Sequence, residues 1–263
     1  MYTVRSKDGT SIAFDRLGQG PILIMVGGAL QHRALDRVIG QRAEALAQHF
    51  TVIQYDRRGR GDSGDTQPYE VAREIEDLEA VIDAVGGEAF VLGMSSGGAL
   101  ALEAAPRLSA KIKKLALYEV PYNDDPAARA SWQRFAVEQR SLLAADRRED
   151  ALVRFMRQLD TDPEQIEATR RSPVWPMLAA VAPTLAYDLA VLGPDNSIPA
   201  ERIAAVAVPT LVLDGGASFA FIHATSNTLA SLLPNAEQRT LAGETHAVSA
   251  EVLAAALVEF FGS

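Results

Sequence analysis

The chain has 263 residues, 48% of them hydrophobic, enough to bury a sizeable core in one large domain or two small ones. A net charge of −9 argues against a phosphate-binding surface or attraction to anionic membranes, so neither nucleic acid nor a membrane is an expected partner. Without cysteine there is no disulfide, thiolate nucleophile or Cys-based metal site, and the four histidines, at 32, 49, 223 and 246, are too scattered for a His-rich metal site.

The first residues lack the apolar run of a signal peptide, which makes a cytoplasmic protein the plain expectation. Tyr2 to Ser6 and Thr10 to Arg16 are strand-like and flank the turn dipeptide Asp8-Gly9, a hairpin signal. Pro21 to Val26 is continuously apolar and ends at Gly27-Gly28. It is too short to span a bilayer and suits a strand buried on both faces of a parallel sheet. Leu35, Val38, Ile39, Ala43 and Leu46 follow at helical spacing, and Thr51 to Tyr55 is a further strand. The loop after it, Asp56 to Ser63, carries Arg57, Arg58 and Arg60. Such a charge run reads as a solvated, salt-bridged loop without catalytic role.

Val71, Ile75, Leu78, Val81, Ile82 and Val85 predict an amphipathic helix. Ala89 to Leu92 reads as a strand, Ser96 to Leu108 as a helix and Lys114 to Tyr118 as a strand. Thr210 to Leu213 and the residues around Gln238 to Leu241 are further strands, each followed by a helix, over Phe219 to Leu233 and Ser249 to Phe261. Strands alternating with helices imply crossover units and a mostly parallel sheet. From Pro121 to about Ala205 no strand is convincing, while Trp132 to Leu143 and Ala151 to Leu159 have helical patterns. That segment reads as an inserted helical cap, with an ordinary run of crossover helices as the alternative.

Gly93-Met94-Ser95-Ser96-Gly97 lies directly between a strand and a helix. A tight strand-to-helix turn forces the central serine into a strained conformation and accepts only small residues two positions away on each side. Helix onset there puts the Ser95 hydroxyl at the positive end of the helix dipole, which favours developing negative charge. Neither this segment nor Gly27-Gly28 has the G-x-G-x-x-G spacing of a dinucleotide site.

This strand, elbow and helix, with the Gly27-Gly28 loop and the Asp56–Ser63 loop in the same order, resembles the α/β-hydrolase family over essentially the whole chain. The resemblance implies an α/β fold: a mostly parallel eight-stranded sheet with helices on both faces and a helical cap inserted after strand six. It frames residues 1–263 as one domain with 122–205 as the cap. It also implies that His246, in Gly243-Glu244-Thr245-His246-Ala247 before the last helix, is the general base for a Ser95 nucleophile.

The third triad member departs from the usual pattern. Most members of the family carry an Asp a few residues past strand seven, but Asp214-Gly215-Gly216-Ala217-Ser218 has its only carboxylate at the strand end. Glu119, in Leu117-Tyr118-Glu119-Val120-Pro121, ends an apolar strand at the sheet edge that carries active sites in open α/β folds. The setting resembles the fungal zearalenone lactonases, whose acid is a Glu in a similar Glu-x-Pro context. They share the Ser-Ser-Gly that begins with the nucleophile and a cap segment like Pro173-Val174-Trp175. Glu119 is therefore the expected acid and Asp214 the alternative.

Oxyanion donors are expected from the Ser96 N–H and from Gly28 or Ala29. His32, Met94, Trp132, Trp175, Met177 and Tyr187 are candidates to line a medium-sized apolar pocket, the cap aromatics being equally readable as cap core. The expected activity is cofactor-free, metal-free hydrolysis of a small-molecule carboxylic ester or lactone, with a homodimer left open. The rivals are C–C bond hydrolysis, cofactor-free lyase chemistry and a non-enzymatic ligand receptor on the same scaffold.

Overall fold

The structure, a computed structural model, describes residues 1–35 and 42–262. Val38 and Ile39 of the first expected helix lie outside them. The chain runs β1 (Tyr2–Arg5), β2 (Ser11–Leu17), β3 (Ile22–Val26), α1 (Arg42–Leu46), β4 (Thr51–Tyr55), α2 (Val71–Val85), β5 (Ala89–Met94), α3 (Ser96–Ala104) and β6 (Ile112–Tyr118). Six helices follow: α4 (Pro126–Ala144), α5 (Arg148–Gln158), α6 (Pro163–Arg170), α7 (Trp175–Val181), α8 (Leu185–Leu192) and α9 (Ala200–Ala204). The chain closes with β7 (Thr210–Gly215), α10 (Ala220–Leu232), β8 (Ala236–Leu241) and α11 (Ala250–Gly262).

The eight strands form one sheet in the order β1-β2-β4-β3-β5-β6-β7-β8, antiparallel at β1/β2 and β2/β4 and parallel elsewhere. The uninterrupted apolar runs are explained by burial on both faces. Leu23, Val52, Leu92 and Leu211 join the cluster that contains Leu46 of α1 and Leu253 and Leu257 of α11. Their neighbours Ile24, Ile53, Val91 and Val212 enter the opposite cluster, with α2, α3 and Leu229 of α10. The chain leaves β3 for β4 on one side and β5 for β6 on the other. The topological switch point, where open parallel sheets bind ligands, therefore lies between the ends of β3 and β5.

The predicted elements appear with shifted ends. α2 stops at Gly86, whose φ of 137° lets the Gly87 N–H reach back to Ile82 O at 2.9 Å. α3 ends at Ala104 rather than Leu108, because Pro106 has no N–H to continue the ladder. Among the described residues no strand lies between β6 and β7, as expected. α4 and α6 start at Asp-Pro pairs: Asp125 accepts from Ala128 N at 2.8 Å and Asp162 from Glu164 N at 2.7 Å. Trp175–Leu192 is apolar enough to match a membrane span by length and composition, but 56% of it is buried inside the protein. Trp175, Val181, Ala182 and Leu185 pack there with Leu30 and Leu152.

The Asp56–Ser63 loop corrects the expectation of a solvated turn. Arg57, Arg58 and Arg60 are almost wholly buried, at 1%, 0% and 1% exposure. Arg57 pairs with Glu74 at 2.6 and 2.7 Å, Arg58 with Asp77 at 2.7 Å through two nitrogens, and Arg60 with Asp188 at 2.9 Å. Glu74 and Asp77 sit on α2 and Asp188 on α8. Buried guanidinium ions are tolerable only with such partners, and the partners come from distant chain segments that the loop's own sequence does not reveal.

Candidate active site

The switch point holds the elbow. Ser95, between β5 and α3, has φ 53° and ψ −127°, outside the ordinary regions for a residue with a side chain. The flanking glycines are steric requirements: a Cβ on Gly93 would lie 2.6 Å from Gly98 Cα, and one on Gly97 2.2 Å from Val26 O. Ser95 N donates to Tyr118 O at 2.9 Å, which ties the elbow to the end of β6.

The residue just after β6, Glu119, also has positive φ, 48°, and its carboxylate is 1% exposed. One oxygen lies 2.7 Å from His246 Nδ1; the other accepts from Gly215 N at 2.9 Å and from Ser218 Oγ. Burial by itself would raise the Glu119 pKa, but the hydrogen bonds from His246, Ser218 and Gly215 outweigh it and hold the carboxyl below the usual range. His246 is presented by a braced loop. Glu244 accepts from Ser249 N at 2.8 Å and Ser249 Oγ at 2.7 Å, Ala217 N donates to Glu244 O at 2.8 Å, and Tyr118 Oη donates to Thr245 O. No hydrogen bond joins Ser95 Oγ to His246 among the described residues.

Asp214 is engaged elsewhere. One oxygen accepts from Thr240 Oγ1 at 2.8 Å and Gln238 Nε2 at 3.0 Å, and the other contacts His223 Nδ1. The alternative acid therefore partners a different histidine.

The glycine loop lies against the serine: a Cβ on Gly28 would be 3.0 Å from Ser95 Cβ and 3.6 Å from its Oγ. Of the two loop amides expected as oxyanion donors, that of Gly28 is already used, donating to Gln31 Oε1 at 2.7 Å. Neither Ala29 N–H nor Ser96 N–H donates to another group among the described residues, which leaves both available. Gln31 and Ser218 were not singled out from sequence, since a glutamine and a serine in loops carry no spacing signal.

The candidate pocket residues divide. Trp132 donates from Nε1 to Gly193 O at 3.1 Å and packs on Phe135. Tyr187 stacks on Tyr69 at 3.8 Å, donates to Asp65 Oδ2 at 2.6 Å and receives from Gln67 at 2.7 Å. Trp175 is core among the helices, at 6% exposure, and Met177 lies in the same helix, α7. Trp132 and Tyr187 are thus hydrogen-bonded within the protein, whereas the buried Trp175 Nε1 has no partner. His32 and Met94 line a cavity of about 30 Å³, room for a water. Both His32 nitrogens lack a partner there, and burial lowers its pKa, keeping the ring neutral. His49 is exposed. No group of three or more His, Asp or Glu suited to a metal ion occurs among the described residues.

A crystal structure of an alpha/beta hydrolase from Sphaerobacter thermophilus is 50% identical, with a TM-score of 0.88 over 99% of this chain and 100% of that one. The enol-lactonase of Burkholderia xenovorans, 21% identical over the full length of both chains, shares the fold with a TM-score of 0.72. Among curated proteins, the pimeloyl-(acyl-carrier protein) methyl ester esterase of Nitrosospira multiformis is 32% identical over 111 residues. That match spans 41% of this chain and 41% of the esterase, well under half of either. Residues 22–259 match the sequence profile of the alpha/beta hydrolase family, and the chain belongs to that family.

Proposed function

We propose that the protein is a serine hydrolase that cleaves a small-molecule carboxylic ester or lactone through an acyl-enzyme. The observation that carries this reading is the buried Glu119 carboxylate 2.7 Å from His246 Nδ1, just past the end of β6, the strand that pairs with the strand entering the strained Ser95 elbow. A carboxylate on Nδ1–H leaves Nε2 as the basic nitrogen and stabilises the imidazolium that forms when it takes a proton. In this scheme Ser95 Oγ attacks the carbonyl carbon while His246 Nε2 removes its proton. The tetrahedral oxyanion is met by the Ala29 and Ser96 N–H groups, and His246 returns the proton to the leaving alkoxide. Water then attacks the acyl-enzyme by the same route, releasing the acid and regenerating Ser95. For a lactone the alcohol and acid remain one molecule.

The helices between β6 and β7 act in this reading as a cap on a single catalytic domain. Similarity to an esterase and to an enol-lactonase supports the bond type and leaves the substrate open. The test is turnover of p-nitrophenyl esters of short and medium acyl chains, with a fluorophosphonate to label Ser95. Turnover with labelling supports the proposal. Labelling without ester turnover favours C–C hydrolysis or lyase chemistry, and neither result favours a ligand receptor.

A further inference from the structure

The buried arginine loop is wired to both amides that the proposed reaction needs. Asp188, on α8 and 4% exposed, accepts from Ser96 Oγ at 2.8 Å, from Arg57 Nη1 at 2.8 Å and from Arg60 Nη2 at 2.9 and 3.0 Å. Arg60 has two further bonds. Its Nε donates to Thr184 Oγ1 at 3.1 Å, and its Nη1 donates to the Gly28 carbonyl oxygen at 2.5 Å. Gln31 N donates to the same carbonyl at 3.3 Å, and Arg57 Nη1 reaches the Gly27 carbonyl at 3.3 Å. Arg57 is itself locked by its two-pronged pair with Glu74.

The Gly28 carbonyl and the Ala29 N–H belong to one peptide group. A trans peptide is planar, so its C=O and N–H point in opposite directions. Arg60 and Gln31 hold the carbonyl end in the protein interior, which turns the Ala29 N–H the other way, on a loop whose Gly28 abuts Ser95. A glycine-containing peptide is the kind most easily flipped, and a flip would replace the donor by a carbonyl lone pair facing the developing oxyanion. The second donor is tied to the same carboxylate, because Ser96 contributes the other N–H and its hydroxyl is bound to Asp188.

We propose that Arg60 and Asp188 are positioning residues for the oxyanion hole. Asp188, carried by the helices between β6 and β7, fixes Ser96 directly and Arg60 by ion pairing, and Arg60 locks the Gly28–Ala29 peptide with its N–H outward. This rests on the serine-hydrolase reading for its catalytic consequence but not for its structural one. A bare stabilising role would be met by the Arg60–Asp188 pair alone; the bonds to the Gly28 carbonyl and the Ser96 hydroxyl give the network its link to the site.

The experiment compares wild type with Arg60→Lys, Asp188→Asn and Ser96→Ala, each first checked for folding by thermal melting and for competent sites by fluorophosphonate titration. On a p-nitrophenyl ester, Arg60→Lys is expected to lower kcat per titrated site by roughly 10²-fold, with KM within about twofold, the pattern of a lost oxyanion donor. Asp188→Asn, which keeps the shape, follows with about a tenfold loss, and Ser96→Ala with less. Affinity for a trifluoromethyl ketone, which adds to Ser95 as a tetrahedral oxyanion, falls in parallel with kcat. Free guanidinium restores part of the turnover of Arg60→Ala. Wild-type kcat per titrated site in both Arg60→Lys and Asp188→Asn overturns the proposal. A crystal structure of Arg60→Lys decides it even if the wild type proves inactive on esters, an outcome that sinks the hydrolase reading alone. A flipped or disordered Gly28–Ala29 peptide supports the positioning role, and an unchanged one refutes it.

Discussion

Two carboxylate–histidine pairs stand at the ends of neighbouring strands, Glu119 with His246 and Asp214 with His223. Both acids are buried, at 1% and 0% exposure, and each receives two further hydrogen bonds. Their histidines differ in what they serve. His223 is nine residues from its acid, on α10, and braces that helix against β7. His246 is 127 residues from its acid, 58% exposed, and held on a loop braced to the ends of β6 and β7, next to the elbow strand. In the proposed mechanism the Glu119–His246 pair serves the Ser95 nucleophile, while the Asp214–His223 pair is structural. A carboxylate at a strand end is therefore not enough to name a triad acid.

The comparison can be broken by substitution. Ser95→Ala should lose roughly 10⁶-fold in kcat, since no other hydroxyl replaces it, and kinetics on an ester substrate checks this. Glu119→Gln should lose about 10⁴-fold, because the amide no longer favours the reactive tautomer or stabilises the imidazolium. Asp214→Asn should lose less than about tenfold while lowering stability by about 1–3 kcal/mol through its weakened buried hydrogen bonds. The opposite ranking of the two acids would exchange their roles.

Ser218→Ala removes one donor to Glu119 and should cost about tenfold in kcat with little change in KM. A change confined to KM would place Ser218 at the substrate instead. The smallest effect is one of pH. The Glu119 carboxyl is held below the usual glutamate range, so its interactions stabilise the fold fully above that range, and the contribution is lost as pH falls through the lower folded value. Melting temperatures from about pH 6 down to pH 3 should fall more steeply in wild type than in Glu119→Gln. Parallel curves would mean that Glu119 is not preferentially ionised in the folded state.

Much of the site was legible because its constraints are local. An elbow needs small residues at fixed offsets, so Gly93, Ser95 and Gly97 declare themselves, as do the strand and helix on either side. The continuous apolar runs equally announced a two-faced parallel sheet. The sequence resemblance suggested Glu119 and His246. The interior destination of Arg57, Arg58 and Arg60 was misread, since three cations in eight loop residues look solvated until Glu74, Asp77 and Asp188 arrive beside them. The tryptophans and Tyr187 were ambiguous for a related reason: an aromatic ring in a helix fits a core as well as a pocket, and only its neighbours decide.

The sequence by itself determined the order of strands and helices, the position of the elbow and the absence of thiol chemistry, since these follow from periodicity, turn sterics and composition. Only the tertiary structure decided which histidine meets which acid, that the Gly28 amide is spent on Gln31 and the Ala29 amide is free, and that a carboxylate on α8 reaches Ser96. Those are hydrogen bonds between groups distant in sequence, and their direction depends on the orientation of individual peptides and rotamers, which no spacing in the chain encodes.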